Sequence, residues 1–237
     1  VSRGRGDVYK RQLDDPVDFM SRMVTICDYL EQEAYDKKVL VFTHFTGTHK
    51  LFRRLLTKVF GEEHCAFFCE GMSPDELELN TYRFQNEPGY RIMLSDESGG
   101  EGRNFQKADE LICIDLPWSA NTLEQRIGRL DRIGRDKTKD VVSVIVYAND
   151  SVEKDLADIW NKGLNMFNKS QSGLEIIMND IDEQIRNAVM SDFKYGLASI
   201  VDDMIDEIKK IEKRVKEERH FDIAAYAYQP VSYTHLT

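Results

Sequence analysis

Four arginines are concentrated in residues 123–135, whose sequence is LEQRIGRLDRIGR. On a helical wheel this stretch separates into an apolar face and a polar stripe about 200° away from it. The apolar face consists of Leu123, Ile127 and Leu130, and the polar stripe consists of Gln125, Arg129 and Arg132. Two guanidinium groups at helical spacing, with Gly128 adding no side-chain bulk beside them, suit the oxygens of a phosphate chain. A solvated polar surface is the alternative interpretation of the same stripe.

A glycine-rich stretch, ESGGEGRNFQ at residues 97–106, is the second candidate for anion binding. Its glycines permit turns with positive φ, in which backbone N–H groups converge on an anion. A purely structural turn would use the same residues. Both candidates follow strand-like apolar runs, and ligands of parallel α/β sheets bind beyond the carboxyl ends of the strands. We therefore expect Gly100 and Arg129 to lie on the same rim of one sheet.

Five short apolar runs must position these two stretches. They read KVLVFTHF, HCAFFCE, YRIMLSD, ELICIDL and VVSVIVYA. Runs without polar alternation are typical of parallel strands that are buried on both faces. Helical patterns separate them, including one with Leu51, Leu55 and Val59 on one face and one opened by a capping box at Ser73 and Glu76. The alternation predicts a doubly wound α/β domain at residues 13–149, with a parallel sheet of about five or six strands.

Residues 150–230 carry helical patterns only, which predicts a helical extension. Its last part has apolar residues spaced by four and three positions. These residues are Leu197, Val201, Met204, Ile208, Ile211 and Val215. We expect residues 197–215 to form one helix, packed either on its own domain or as a short coiled coil with another segment.

Composition limits the classes of function. The chain has 237 residues, and 42 Asp and Glu against 32 Lys and Arg give it a net charge of −10. Such a balance argues against a surface that coats nucleic acid, although a local basic cluster can still bind phosphates. No apolar run approaches the roughly 18 residues of a membrane span. With no secretory signal, and with four cysteines that form no CxxC pair, the sequence predicts a soluble cytoplasmic protein without membrane contact or a metal site of its own.

Both ends differ from their neighbours in pattern. Residues 1–12 and 231–237 resemble translated adapter sequence, and we expect them to be foreign to the natural protein.

Three stretches together resemble a known family. KKVLVFTHF, ESGGEGRNFQKAD and LEQRIGRLDRIGR are similar, in order and spacing, to motifs IV, V and VI in the second RecA-like lobe of superfamily-two helicases. The form QxxGRxxRIG of motif VI indicates the Swi/Snf branch. EGRNFQ, with IDLPW after it, is most similar to the bacterial RNA polymerase-associated ATPases of that branch.

The resemblance implies roles for the matched residues. ATP would bind between two lobes, with Arg129 and Arg132 as arginine fingers on its β- and γ-phosphates. The other implied ATP-binding residues are Gln125, Gly128, Gly100, Glu101 and Gly102. Asn104, Thr43 and His44 would contact nucleic acid. For Thr43 and His44 a capped strand end is the alternative.

The resemblance also implies what this chain would need from elsewhere. The sequence contains no GxxxxGK[ST] loop. A missing N-terminal RecA-like lobe would therefore supply the P-loop lysine and most of the Mg²⁺ site, and this chain alone would be inactive. Arg135 stands where this branch commonly has glutamine, which leaves the role of that position open.

The implied function is ATP-dependent translocation. The expected partners are double-stranded DNA or another nucleic acid, and RNA polymerase. A docking module without catalysis is the alternative from a different class, and the motor of a phage-defence or restriction system is a third interpretation.

Overall fold

The computed structural model describes residues 8–13, 19–97, 105, 107–130, 142–167 and 175–227. Six parallel strands form one sheet with the order β1-β6-β5-β2-β4-β3. The strands are β1 (Val8–Leu13), β2 (Val39–Phe42), β3 (Cys65–Phe68), β4 (Ile92–Ser95), β5 (Glu110–Cys113) and β6 (Val142–Ala148). The five apolar runs are β2 to β6, so the predicted parallel α/β fold is confirmed. β1 falls almost entirely within residues 1–12, and the foreign origin of that segment stays a prediction.

Helices cover both faces of the sheet. They are α1 (Phe19–Gln32), α2 (Thr46–Phe60), α3 (Pro74–Asn86), α4 (Ala120–Gly128), α5 (Val152–Asp158), α6 (Glu175–Ser191) and α7 (Val201–Ala227). Alternate residues of each strand enter different cores, as the period of two requires. Leu40 and Phe42 pack with α3, α4 and the C-terminal helices, whereas Val39 and Val41 pack with α1 and α2.

The buried face of α2 differs from the apolar pattern in the sequence. Leu51 and Val59 are 41% and 48% exposed, while Phe52 and Leu56 are fully buried. The register is shifted by one residue because His49 also faces the core, where its Nε2 lies 3.3 Å from the Leu94 carbonyl oxygen. A pattern of leucines alone could not identify a buried histidine as part of the core face.

The predicted capping box opens α3. The Ser73 hydroxyl accepts a hydrogen bond from the Glu76 backbone N–H, and the Glu76 carboxylate accepts one from the Ser73 backbone N–H at 2.9 Å. Pro74 occupies the first helical position.

The helical extension shares a core with the sheet. A π-helical turn at Ile159–Gly163 follows α5, and α7 packs across it. The indole of Trp160 is fully buried and donates a hydrogen bond from Nε1 to the Pro117 carbonyl oxygen at 3.0 Å.

The last helix is shorter than expected at its start. Leu197 is buried, but it lies in a run of turns, and α7 begins only at Val201. Met204 and Ile208 are buried against the chain's own core, whereas Ile211 and Val215 are half-buried. The N-terminal half of the apolar stripe is therefore packed on its own domain. No helix in the described parts of the chain is long and apolar enough to cross a membrane.

Candidate nucleotide-binding site

A cavity of about 410 Å³ opens at the carboxyl ends of β2 and β5, beside α4. Its lining includes Phe42, His44, Phe45, Glu97, Asp115, Leu116, Pro117, Trp118, Ser119, Thr122, Gln125, Arg126 and Arg129. The residues come from the regions matched to motifs IV, V and VI, together with the segment after β5. The sheet therefore brings the described residues of the three regions to one edge, as parallel strands do.

Arg126 holds the floor of this cavity together. Its side chain is 1% exposed, donates from Nε to Glu97 Oε1 at 3.0 Å, and donates from Nη1 to the Asp115 carbonyl oxygen at 2.8 Å. Nη2 forms ion pairs with the carboxylates of Glu97 and Asp115, and the guanidinium lies 5.5 Å from the centre of the Phe42 ring. Burial by itself disfavours the charged form, but attraction to Cys113, Glu97 and Asp115 outweighs it and raises the pKa of Arg126.

Asp115 links the same network to the end of β2. Its carboxylate accepts the hydroxyl of Thr43 and the backbone N–H of His44, the latter at 2.9 and 3.1 Å. Thr43 is fully buried, and its hydroxyl bonds to Asp115 at the end of β2, as in the alternative interpretation of a capped strand end. A contact between Thr43 and nucleic acid stays a prediction. The His44 side chain is 62% exposed, and its Nδ1 lies 3.7 Å from Glu97 Oε1.

Residues 123–130, in α4 and the turn after it, confirm the predicted core face. Leu123, Ile127 and Leu130 are all buried. On the other side, Gln125 is exposed and lines the cavity, and Arg129 lines it at 7% exposure.

Two described site residues, Thr43 and Gly128, do not line the cavity, and five others lie outside the described residues. Gly128 is not among the lining residues, and a Cβ at this position would meet nothing within 4 Å. The fold therefore does not require a glycine there, and its contact with nucleotide stays a prediction. Gly100, Glu101, Gly102, Asn104 and Arg132 lie outside the described residues, so the common rim of Gly100 and Arg129 is untested. Glu97, which begins the glycine-rich stretch, does lie on that rim.

The N-terminus of α4 is capped from the helical extension. Ser119 occupies the N-cap position without a side-chain cap hydrogen bond. Instead, the Asp182 carboxylate on α6 accepts the Ala120 backbone N–H at 2.9 Å. The extension thus helps to orient the helix that carries Arg126 and leads into Arg129, because a carboxylate at a helix N-terminus satisfies free N–H groups and the helix dipole.

Sequence reasoning missed Arg126, Glu97, Asp115 and Asp182. Arg126 falls between the two faces of the wheel, and its partners are distant in the sequence. IDLPW contributed to the sequence prediction only through the resemblance, although its aspartate, Asp115, bonds to Thr43, His44 and Arg126.

Residues 21–134 match the helicase conserved C-terminal domain. This part of the chain is a helicase C-terminal domain. Its motifs IV, V and VI supply the cavity described above.

Sequence relatives carry the same domain in longer proteins. The RNA polymerase-associated protein RapA of Vibrio vulnificus (strain CMCP6) is 33% identical over 181 residues, which are 76% of this chain and 18% of that protein. RapA of Vibrio campbellii (strain ATCC BAA-1116) is 32% identical over 201 residues, which are 84% of this chain and 20% of that protein. The chain is thus related to RapA and spans about a fifth of the length of these curated relatives.

Solved structures agree on the fold. The Sulfolobus solfataricus SWI2/SNF2 ATPase core in complex with dsDNA aligns with a TM-score of 0.55 at 21% identity, over 75% of this chain and 35% of that chain. The C-terminal part of the Fun30 ATPase domain aligns with a TM-score of 0.52 at 16% identity, over 70% of this chain and 54% of that chain. At these identities the two alignments confirm the predicted fold, and the resemblance to a helicase C-terminal domain rests on the match of residues 21–134.

Proposed function

We propose that this helicase C-terminal domain is the second motor lobe of an ATP-dependent translocase that acts on double-stranded DNA. The observation that carries the proposal is the cavity at the carboxyl ends of β2 and β5, because the motif VI residues Gln125 and Arg129 line it. Arg129, together with Arg132, would stabilise the charge that develops on the β- and γ-phosphates of ATP. ATP supplies the phosphoryl group, and this chain supplies the guanidinium groups that orient and stabilise it.

The phosphate end of a nucleotide can approach the cavity because Arg126 and Arg129 together balance the two carboxylate charges in its lining. Arg126 forms ion pairs with Glu97 and Asp115, whose carboxylates would otherwise repel an anion more strongly. The same pairing makes these carboxylates poor magnesium ligands. No cluster of three or more His, Cys, Asp or Glu suited to a metal occurs in the described ranges. A first lobe would hold Mg²⁺ and the P-loop lysine.

The nucleic-acid side of the proposal rests on His44, which is exposed next to the cavity. One structural neighbour was solved with dsDNA, and the sequence relatives are named for their association with RNA polymerase. Double-stranded DNA as the track, RNA polymerase as a partner and a cytoplasmic location are parts of the same proposal. A motor of a phage-defence or restriction system would use the same cavity with other partner domains.

The test joins this chain to the first lobe of a RapA relative and measures ATP hydrolysis with and without duplex DNA. We expect DNA-stimulated hydrolysis, which Arg129→Ala and Arg132→Ala lower by about 10³-fold or more while DNA affinity stays nearly unchanged. Lysine at either position should restore little, since it lacks the planar fork of arginine. Arg214→Ala, at an exposed position of α7, is the matched control and should hydrolyse ATP at the unmodified rate.

Unchanged turnover in both finger variants would refute the arginine-finger assignment. A joined protein that folds but never hydrolyses ATP would favour the non-catalytic docking module instead.

A further inference from the structure

A cationic stripe runs along α2, outside the cavity. Its members are Lys50, Arg53, Arg54 and Lys58, all of them exposed. They fall within about 140° of the helix circumference, on the side opposite the buried Phe52 and Leu56. With Thr57, Glu62 and Phe67 they line an open groove of about 490 Å³. In a chain with ten more acidic than basic residues, four cations beside a single carboxylate are a marked local reversal of charge.

Apart from Arg53, which packs on Phe67, the stripe has no recognised role in the fold among the described residues. Among the residues that the structure describes, no ion pair within 4.0 Å is recorded for any of the four side chains. Arg53 is held in place by the Phe67 ring, whose centre lies 4.7 Å from the guanidinium carbon. The four cations lie close together without an ion pair in the described part of the chain, so an anion along the stripe would relieve their mutual repulsion.

We infer that this cationic stripe binds the phosphate backbone of a DNA duplex, as a second contact line beside the track proposed for His44. The inference rests on the proposed function for its choice of polyanion. Lys50 to Lys58 spans about 12 Å along the helix axis, which corresponds to three or four base-pair steps along a duplex axis at ~3.4 Å each. The stripe also begins within two turns of His44 and Phe45, so one duplex can reach both.

The experiment measures how the affinity of this chain for a fluorescent DNA duplex depends on salt. Each phosphate contact contributes about 0.9 to the slope of log K against log salt. Lys50→Ala, Arg54→Ala and Lys58→Ala combined should therefore lower the magnitude of that slope by about 2.7. Arg53 is left intact because its packing on Phe67 serves the fold.

The matched control removes three exposed lysines from α7, as Lys209→Ala, Lys210→Ala and Lys213→Ala. It changes the net charge equally and should leave the slope unchanged. An equal decrease of the salt slope in both triple variants would mean that only net charge matters, and it would overturn the inference. So would an unchanged slope in the α2 variant, the absence of duplex binding at low salt, or preferential binding of poly-glutamate through the same three residues.

The outcomes are separable from those of the proposed function. If the joined protein showed DNA-stimulated ATP hydrolysis but the triple α2 variant kept the salt slope of the parent chain, only the inference about the cationic stripe would be overturned. A lowered slope without ATP hydrolysis would support the stripe and refute the motor.

Discussion

At the scale of single residues, Arg126 is a charged group that the fold has removed from water. Its guanidinium connects three segments that are remote in sequence, because Glu97 follows β4, Asp115 follows β5 and Arg126 itself lies on α4. Removing one partner of a buried ion pair leaves the other charges without compensation. Arg126 therefore positions the cavity, whereas Arg129 and Arg132 are the residues proposed to contact phosphate.

We expect Arg126→Ala to lower the free energy of unfolding by about 3–5 kcal/mol, because it leaves Asp115 buried without its cation. Urea unfolding measures the loss. The exposed Arg214→Ala variant should change the same quantity by less than about 0.5 kcal/mol. A loss below ~1 kcal/mol for Arg126→Ala would mean that water solvates the network.

His49 should make stability depend on pH. Burial lowers the pKa of its imidazole below the ordinary 6.5, with a smaller contribution from Arg53, and outweighs the Leu94 carbonyl, the Phe68 backbone and Asp96, which act in the opposite direction. In the unfolded chain the imidazole takes up a proton near its ordinary pKa, and in the folded chain it does so only at lower pH. The stabilisation is therefore complete above about pH 6.5 and is lost as the pH falls towards the folded pKa.

His49→Gln keeps a hydrogen-bond donor but does not titrate. We expect the free energy of unfolding to fall less in this variant than in the parent chain between about pH 7 and pH 5. Urea titrations at the two pH values measure the difference. Identical pH dependence in both proteins would show that another group is responsible.

At the scale of elements, α4 depends on α6. The helix that carries Gln125 and leads into Arg129 has nine residues and no side-chain cap of its own, and the Asp182 carboxylate supplies the cap. Short helices are marginal without tertiary support, so the orientation of motif VI depends on the helical extension.

Asp182→Ala should lower the free energy of unfolding by about 0.5–2 kcal/mol, the usual loss for a helix cap. Hydrogen exchange should also become faster at the amides of α4, and not at those of α3, which keeps its capping box at Ser73. Ser119→Ala is the matched control and should change neither quantity, since the Ser119 side chain makes no cap hydrogen bond. Equal protection of α4 in both variants would contradict the dependence on α6.

At the scale of the whole molecule, the sheet and the helical extension share one hydrophobic core. Trp160 and Ile208 of the extension belong to the same core as Leu40 of β2 and Leu123 of α4. The boundary predicted near residue 149 therefore separates an alternating strand and helix pattern from an all-helical pattern. The hydrophobic core contains residues from both sides of it.

We expect a Trp118→Phe variant, in which Trp160 is the remaining tryptophan, to unfold in a single transition. The loss of buried Trp160 fluorescence should coincide with the loss of far-UV circular dichroism. A chain that ends at residue 149 should unfold at a lower temperature, because it exposes the apolar surface that Trp160 covers. Two separate transitions in the variant would contradict a shared core.

The sequence alone determined the features that depend on neighbouring residues. The continuous apolar runs, which lack polar alternation, predicted β2 to β6, and the local signals Ser73, Pro74 and Glu76 predicted the start of α3. The wheel of α4 predicted Leu123 and Ile127 as core. These signals act over one or two turns or a single strand, so no knowledge of the fold is needed to recognise them.

Only the tertiary structure decided which polar residues meet. Arg126 pairs with Glu97 and Asp115 because β2 lies between β4 and β5, which places the ends of all three strands around one side chain. Asp182 caps α4 across 62 residues of sequence. Such contacts depend on strand order and helix docking, and the free energy that fixes them comes from burial of the whole core rather than from any local pattern.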